Sequence, residues 1–149
     1  MDFVPSRLRR GEMLAGAGAI ALLALTFLTK WERISGRSLN GWHAATHVRW
    51  LIVVTALLAL LLTFTQAMFR APAIPVSLSV IVTVLAPLTS LWLFYRVVID
   101  PLPHQKISAV LALLSACVSA YGAYLSLRQG GISPHDAPPE IPTVPLGAR

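Results

Sequence analysis

Four stretches without a single Asp, Glu, Lys or Arg constrain this chain more than anything else in it: Met13–Thr29, Trp50–Phe69, Ala71–Tyr95 and Ile107–Leu127. They run for 17, 20, 25 and 21 residues. A helix needs about 20 apolar residues to cross a hydrocarbon core of roughly 30 Å, so each stretch has the length of one membrane crossing. Inside a bilayer no water pairs with the backbone, and a lone segment satisfies its own N–H and C=O groups only as a helix. The pattern therefore predicts an all-α fold, a four-helix transmembrane bundle over 1–128, with spans at about 12–29, 48–69, 74–96 and 106–127. Charged residues make up 12% of the 149, against about 25% in a soluble domain. A soluble globular domain is excluded.

The connections carry their own signals. Arg7, Arg9 and Arg10 precede the first apolar run, a layout shared by signal sequences and first spans. Thr29-Lys30-Trp31-Glu32 offers no small-x-small cleavage site, so the segment is expected to stay as an anchor, with the Thr26 and Thr29 hydroxyls extending its last turn. Lys30 to Arg49 reads as the one long loop, with Asn40 as N-cap of a second helix that begins near Gly41 and stands a turn or two beyond the bilayer. Arg70 to Pro75 is short and proline-marked, which predicts a hairpin of spans two and three. Pro87 removes an N–H inside span three and is expected to bend it, with Thr83, Thr89 and Ser90 restoring hydrogen bonds. A loop from Arg96 to Lys106, with Pro101 and Pro103, leads to span four. Residues 129–149 carry Pro134, Pro138, Pro139, Pro142 and Pro145 with few apolar anchors, so a disordered Pro-rich tail is expected.

Four spans put both termini on one face and the 30–49 and 96–106 loops on the other. Lys and Arg divide evenly between the faces, Arg7, Arg9, Arg10, Arg70, Arg128 and Arg149 against Lys30, Arg33, Arg37, Arg49, Arg96 and Lys106. The first helix usually dominates orientation, and the arginine cluster before it predicts cytoplasmic termini. Trp31, Trp42, Trp50 and Trp92 all fall toward the opposite face and read as its interfacial belt. The formal charge of +6 belongs to these flanks, where basic residues meet anionic lipid, so nucleic acid is not an expected partner. Cys117 is the single cysteine, which excludes an intrachain disulfide or a CxxC redox pair.

Short motifs run along the chain: Arg9-Arg10-Gly11-Glu12 opening an Ala/Gly-rich first span, Gly41-Trp42 ahead of the second, Tyr95-Arg96 with Asp100-Pro101 after the third, and Tyr124-Leu125-Ser126-Leu127-Arg128 closing the fourth. In these the chain resembles the small, uncharacterised four-span integral membrane proteins of actinobacteria. Such proteins typically show Pro-Trp after span one and acidic residues near the start of span two, where this chain has Thr29-Lys30-Trp31, His43 and Arg49. The resemblance implies four spans in a bacterial inner membrane and brings no activity with it.

Few residues suggest chemistry. Glu12 is the only carboxylate at the edge of a span, and it directly follows Arg10-Gly11. At a helix start a carboxylate favours the dipole and pairs with Arg9 at i,i+3, so structural capping outweighs proton coupling. His43 and His47 stand at i,i+4 if one helix runs on from Gly41, and with His104 or Asp100 they form a candidate divalent-metal set; packing at the interface is the plainer reading. No HExxH, nucleophile elbow or phosphate loop occurs, so no enzyme and no cofactor is expected. Helices in lipid gain nothing from burial against each other and pack closely through small residues. Span one presents Gly11, Ala15 and Gly18, and span four presents Ala112, Ser115, Ser119, Ala123 and Ser126. Opposite chain directions bring Gly11–Gly18 level with Ser119–Ser126, whereas Leu114, Val118, Tyr121 and Leu125 form a bulky stripe on another face. The sequence thus reads as a structural or accessory membrane component that packs against lipid and against itself or a membrane-protein partner. The second reading is a small transporter or channel subunit whose pathway forms on oligomerisation, lined by Thr83, Thr89 and Ser90.

Overall fold

The computed structural model describes residues 10–68, 73–101 and 104–130. Arg7, Arg9 and the 129–149 tail read from the sequence lie wholly or almost wholly outside these residues, as do Pro72 and Pro103. The elements run α1 (Arg10–Leu28), β1 (Lys30–Ile34), β2 (Arg37–Asn40), α2 (Gly41–Ala44), α3 (Arg49–Met68), α4 (Ala73–Phe94), a π-helical turn (Tyr95–Ile99) and α5 (Ile107–Gly130). Four helices, α1, α3, α4 with its π-helical turn, and α5, are long and apolar enough to cross a membrane. The chain is a multi-pass membrane protein of the all-α class.

The long helices contact one another in a ring, α1 with α3, α3 with α4, α4 with α5 and α5 with α1. Neighbours run antiparallel. Thr63 near the end of α3 bonds the Glu12 carbonyl at the start of α1 at 3.1 Å, and Thr55 early in α3 meets Thr89 late in α4 at 2.9 Å. The core runs through the ring as small and medium side chains, Ala15, Ala19, Leu22, Ile52, Ala56, Leu62, Val82, Leu93, Ala112 and Ala123 among them. Outward the helices present bulky apolar groups, including Met13, Ile20, Leu57, Phe64, Leu91 and the α5 stripe Leu114, Val118 and Tyr121. In water such a surface would aggregate; in hydrocarbon it is solvated.

Two expectations about the 30–49 segment need correction. It is not an irregular loop: Lys30–Ile34 and Arg37–Asn40 pair as an antiparallel hairpin closed by Ser35-Gly36. Both turn residues have positive φ, 48° and 80°, as a type I′ turn requires. Nor does one helix run from Gly41 into the membrane. Asn40 does cap a helix there, its side chain accepting from the His43 N–H at 3.2 Å, but α2 ends at Ala44 and α3 begins at Arg49 after a turn.

α4 continues through Pro87. The nearby hydroxyls do not turn to the carbonyl of Thr83 that proline leaves without its donor. Thr83 Oγ1 donates to Ser79 O at 2.6 Å, Thr89 Oγ1 to Leu85 O at 2.9 Å and Ser90 Oγ to Ala86 O at 2.8 Å. Each bonds the carbonyl four residues back on its own helix, the nearest acceptor a helical Ser or Thr can reach.

Candidate functional site

The loop-bearing end of the ring is organised by Trp31. The hairpin register slips between Lys30 and Glu32, leaving Trp31 as an extra residue opposite the pair Leu39–Asn40. A bulged residue is free of the ladder. Its carbonyl accepts the Lys106 N–H at 2.8 Å and its indole N–H reaches Leu25 O at 2.8 Å. The ring is 1% exposed and so tightly roofed by Gly41 that a Cβ there would lie 2.5 Å from Trp31 Cε2. Trp31 is thus a buried anchor, which corrects its reading as an interfacial residue.

This anchor closes the C-terminus of α1. The last carbonyls of a helix have no intrahelical donor, and at a membrane boundary they need another. Leu25 O receives the Thr29 hydroxyl at 2.6 Å as well as the indole, Leu22 O receives Thr26 at 2.7 Å, and Phe27 O receives Asn40 Nδ2 at 3.3 Å. Ser108 Oγ, at the start of α5, bonds Lys30 O at 2.5 Å. Hairpin, α1 and α5 are therefore fastened together at one end.

Beside the anchor lies an aromatic cluster. Trp42 stacks on Phe27 with ring centroids 5.4 Å apart, meets Trp50 edge-on at 5.2 Å, and carries the Arg49 guanidinium 4.8 Å above its ring. Trp50 is exposed, consistent with an amphipathic ring at a membrane interface. His43 is exposed, and its Nδ1 is 2.7 Å from Asn40 Oδ1. His47 falls in the turn after α2, off the helical register that would have aligned it with His43, and His104 lies in the loop before α5. Among the described residues no three His, Cys, Asp or Glu side chains gather as a metal site. Asp100 instead forms an ion pair with Arg96, one turn away.

The second candidate region is the α1–α5 seam. A Cβ at Gly11 would sit 2.5 Å from Ser126 N and 2.9 Å from Gly122 O; one at Gly18 would sit 2.6 Å from Ser119 N. Ser119 Oγ bonds Ala15 O at 3.2 Å across the seam. Gly11, Ala15, Gly18, Ser119, Ala123 and Ser126 are all buried. Two further glycines, absent from the sequence expectation, make close contacts of α1, Gly122 at this seam and Gly16 against α3. A Cβ on Gly122 would collide with the backbone of Gly11 and Ala15, and one on Gly16 would lie 2.7 Å from Thr63 Oγ1 on α3. Gly122 is the single glycine in the interior of α5, the signal that would have found it. Ser126 Oγ is buried without a hydrogen-bond partner among the described residues.

Glu12 is 2% exposed in the first turn of α1, where its carboxylate suits the helix dipole. Its expected partner Arg9 lies outside the described residues. Comparison of the chain with protein-family models, curated proteins and solved structures gave no match.

Proposed function

We propose that this protein is a non-enzymatic structural or accessory component of a bacterial inner membrane, held with both termini in the cytoplasm and acting by helix packing with itself or a membrane-protein partner. One observation carries the reading. The hydroxyls a polar pathway would need are tied up inside the four-helix bundle: Thr89 donates to Leu85 O, and since a hydroxyl has one proton, the 2.9 Å contact between Thr55 and Thr89 is a hydrogen bond donated by Thr55. Thr89 is fully buried there, bonded to its own helix and to the neighbouring one rather than exposed to a cavity. The apolar grooves left on the outside suit acyl chains or another helix. One, of about 600 Å³, is lined by Met13, Gly16, Ile20, Leu60 and Phe64, and another, of about 410 Å³, by Pro87, Leu91, Phe94, Leu114 and Cys117.

Extraction in mild detergent tests this. The protein is expected to emerge as a homo-oligomer or with another membrane subunit, and a reporter after Arg149 is expected to read cytoplasm while one near Ser38 reads the exterior. Solute or ion flux in proteoliposomes that Thr89→Val abolishes would overturn the reading in favour of a transporter or channel subunit.

A further inference from the structure

A cavity of about 560 Å³ opens between the hairpin tip and the loop that enters α5, lined by Arg33, Ser35, Gly36, His104 and Lys106. Among the described residues its lining holds two fixed cations and an imidazole and no carboxylate. The acids of this end are disposed elsewhere: Glu32 is 4% exposed, and Asp100 is held by Arg96. Neither Arg33 nor Lys106 has an ion-pair partner among the described residues. Among the described residues, no ion pair compensates the positive charge facing this cavity.

The walls are also fixed relative to each other. Lys106 N–H to Trp31 O and Ser108 Oγ to Lys30 O lock the hairpin to the start of α5, so Arg33 and Lys106 are presented from two elements that cannot separate. Among the described residues only two non-glycine residues adopt positive φ, Ser35 and His104, and both line this cavity. The hairpin turn accounts for Ser35. His104 lies in the turn that enters α5, so the two turns that face each other across the cavity each carry one of these residues.

We propose that this cavity binds a phosphate-bearing anion. The volume falls within the roughly 300–1,000 Å³ of small-ligand sites. An arginine fork and a lysine point charge are the usual pair of phosphate ligands, with the imidazole as a further donor. Lys106, in the cavity lining, directly precedes α5, which sets that side of the cavity at the level where the span leaves the hydrocarbon and lipid phosphates lie. The phosphate can belong to an anionic lipid headgroup or to a free solute, and the proposal holds whichever side of the membrane this end faces.

The full chain in neutral detergent is melted with inorganic phosphate, against chloride at equal ionic strength, and in mixed micelles containing phosphatidylglycerol or phosphatidylcholine. A ligand that binds the folded state raises Tm. The expected result is a rise with phosphate or with phosphatidylglycerol, and binding at least about tenfold weaker in Arg33→Gln/Lys106→Gln, as loss of charge-assisted hydrogen bonds requires. Arg37→Gln, on the other hairpin strand and outside the cavity, should bind as the parent does. A rise with phosphatidylglycerol over phosphatidylcholine that phosphate competes away assigns a lipid headgroup; a rise with phosphate alone assigns a free solute. Arg33→Gln by itself serves as the second variant should the double one fail to fold. No rise with either probe, a rise undiminished by the cavity variants, or equal loss in Arg37→Gln would overturn the proposal.

Discussion

Where α1 meets α5, the facing residues are Gly11, Ala15 and Gly18 against Ser119, Gly122 and Ser126, and the backbones all but touch. The α3 and α4 helices instead bury Ile52, Leu62, Val82 and Leu93, and one hydroxyl pair, Thr55–Thr89, joins them. The contrast follows from the solvent. Hydrocarbon rewards neither pair for hiding apolar surface, so one seam relies on dispersion at very short range with a hydroxyl-to-backbone bond across it, and the other on side-chain packing and a hydroxyl pair. A seam of backbones has no slack, because nothing in it can rotate away. Side chains can change rotamer, and a seam built from them tolerates more.

The largest test of that contrast is a single methyl group. Gly122→Ala places a Cβ against the main chain of Gly11 and Ala15 and should destabilise by about 3 kcal/mol or more, the upper end of overpacking costs. Gly16→Ala, where α1 meets α3, presses on the Thr63 side chain and its bond to Glu12 O and should cost less, about 1–2 kcal/mol. Thermal unfolding in detergent compares them, and equal losses would erase the distinction between a contact made by main chain and one made by a side chain.

Cross-linking sharpens the register. In a Cys117→Ser background, Ala15→Cys with Ala123→Cys should form an intrachain disulfide under mild oxidant, since both positions are fully buried and the helices touch beside them. Leu125→Cys in place of Ala123→Cys should give little. Equal yields, or links only between chains, would mean that the stripes join protomers.

A smaller effect is expected at the other seam. Thr55→Val keeps the shape and removes the proton donated to Thr89, which should cost about 0.6–2 kcal/mol as read from the melting midpoint. A loss as large as that of Gly122→Ala would make the hydroxyl pair the principal tie of the bundle.

Zinc should do least. His43 is engaged with Asn40, and among the described residues the histidines do not assemble with a third ligand, so Zn²⁺ should leave Tm where it was. A zinc-dependent rise lost in His43→Ala and His47→Ala would restore the metal site.

Much of this molecule was legible in the linear pattern, for reasons that are local. A charge-free run of membrane length has one backbone solution, so the four helices followed from hydropathy, and small residues spaced by i, i+4 and i+7 mark a face on any helix. Asn40 as a cap was equally readable, because a cap acts on the next three residues. The hairpin could have been found, since Ser35-Gly36 between Arg33-Ile34 and Arg37-Ser38 is a two-residue turn signal, but the apolar spans dominate any reading of the segment between them.

Other features lie beyond the sequence because they depend on pairs of distant residues. Hydropathy gives each helix a length and leaves its rotation about its own axis free. Only the packed ring decides that Gly122 rather than another small residue meets Ala15, or that Thr55 finds Thr89. Trp31 shows the same division most sharply. Its place after a span and among other tryptophans marks an interfacial ring, and a one-residue slip in the hairpin turns it inward, where Leu25, Gly41 and Lys106, each remote in sequence or set by a different element, hold it. The sequence determined how many times the chain crosses the membrane; tertiary contact decided which faces meet, because in hydrocarbon those faces are chosen by close fit and hydrogen bonds rather than by escape from water.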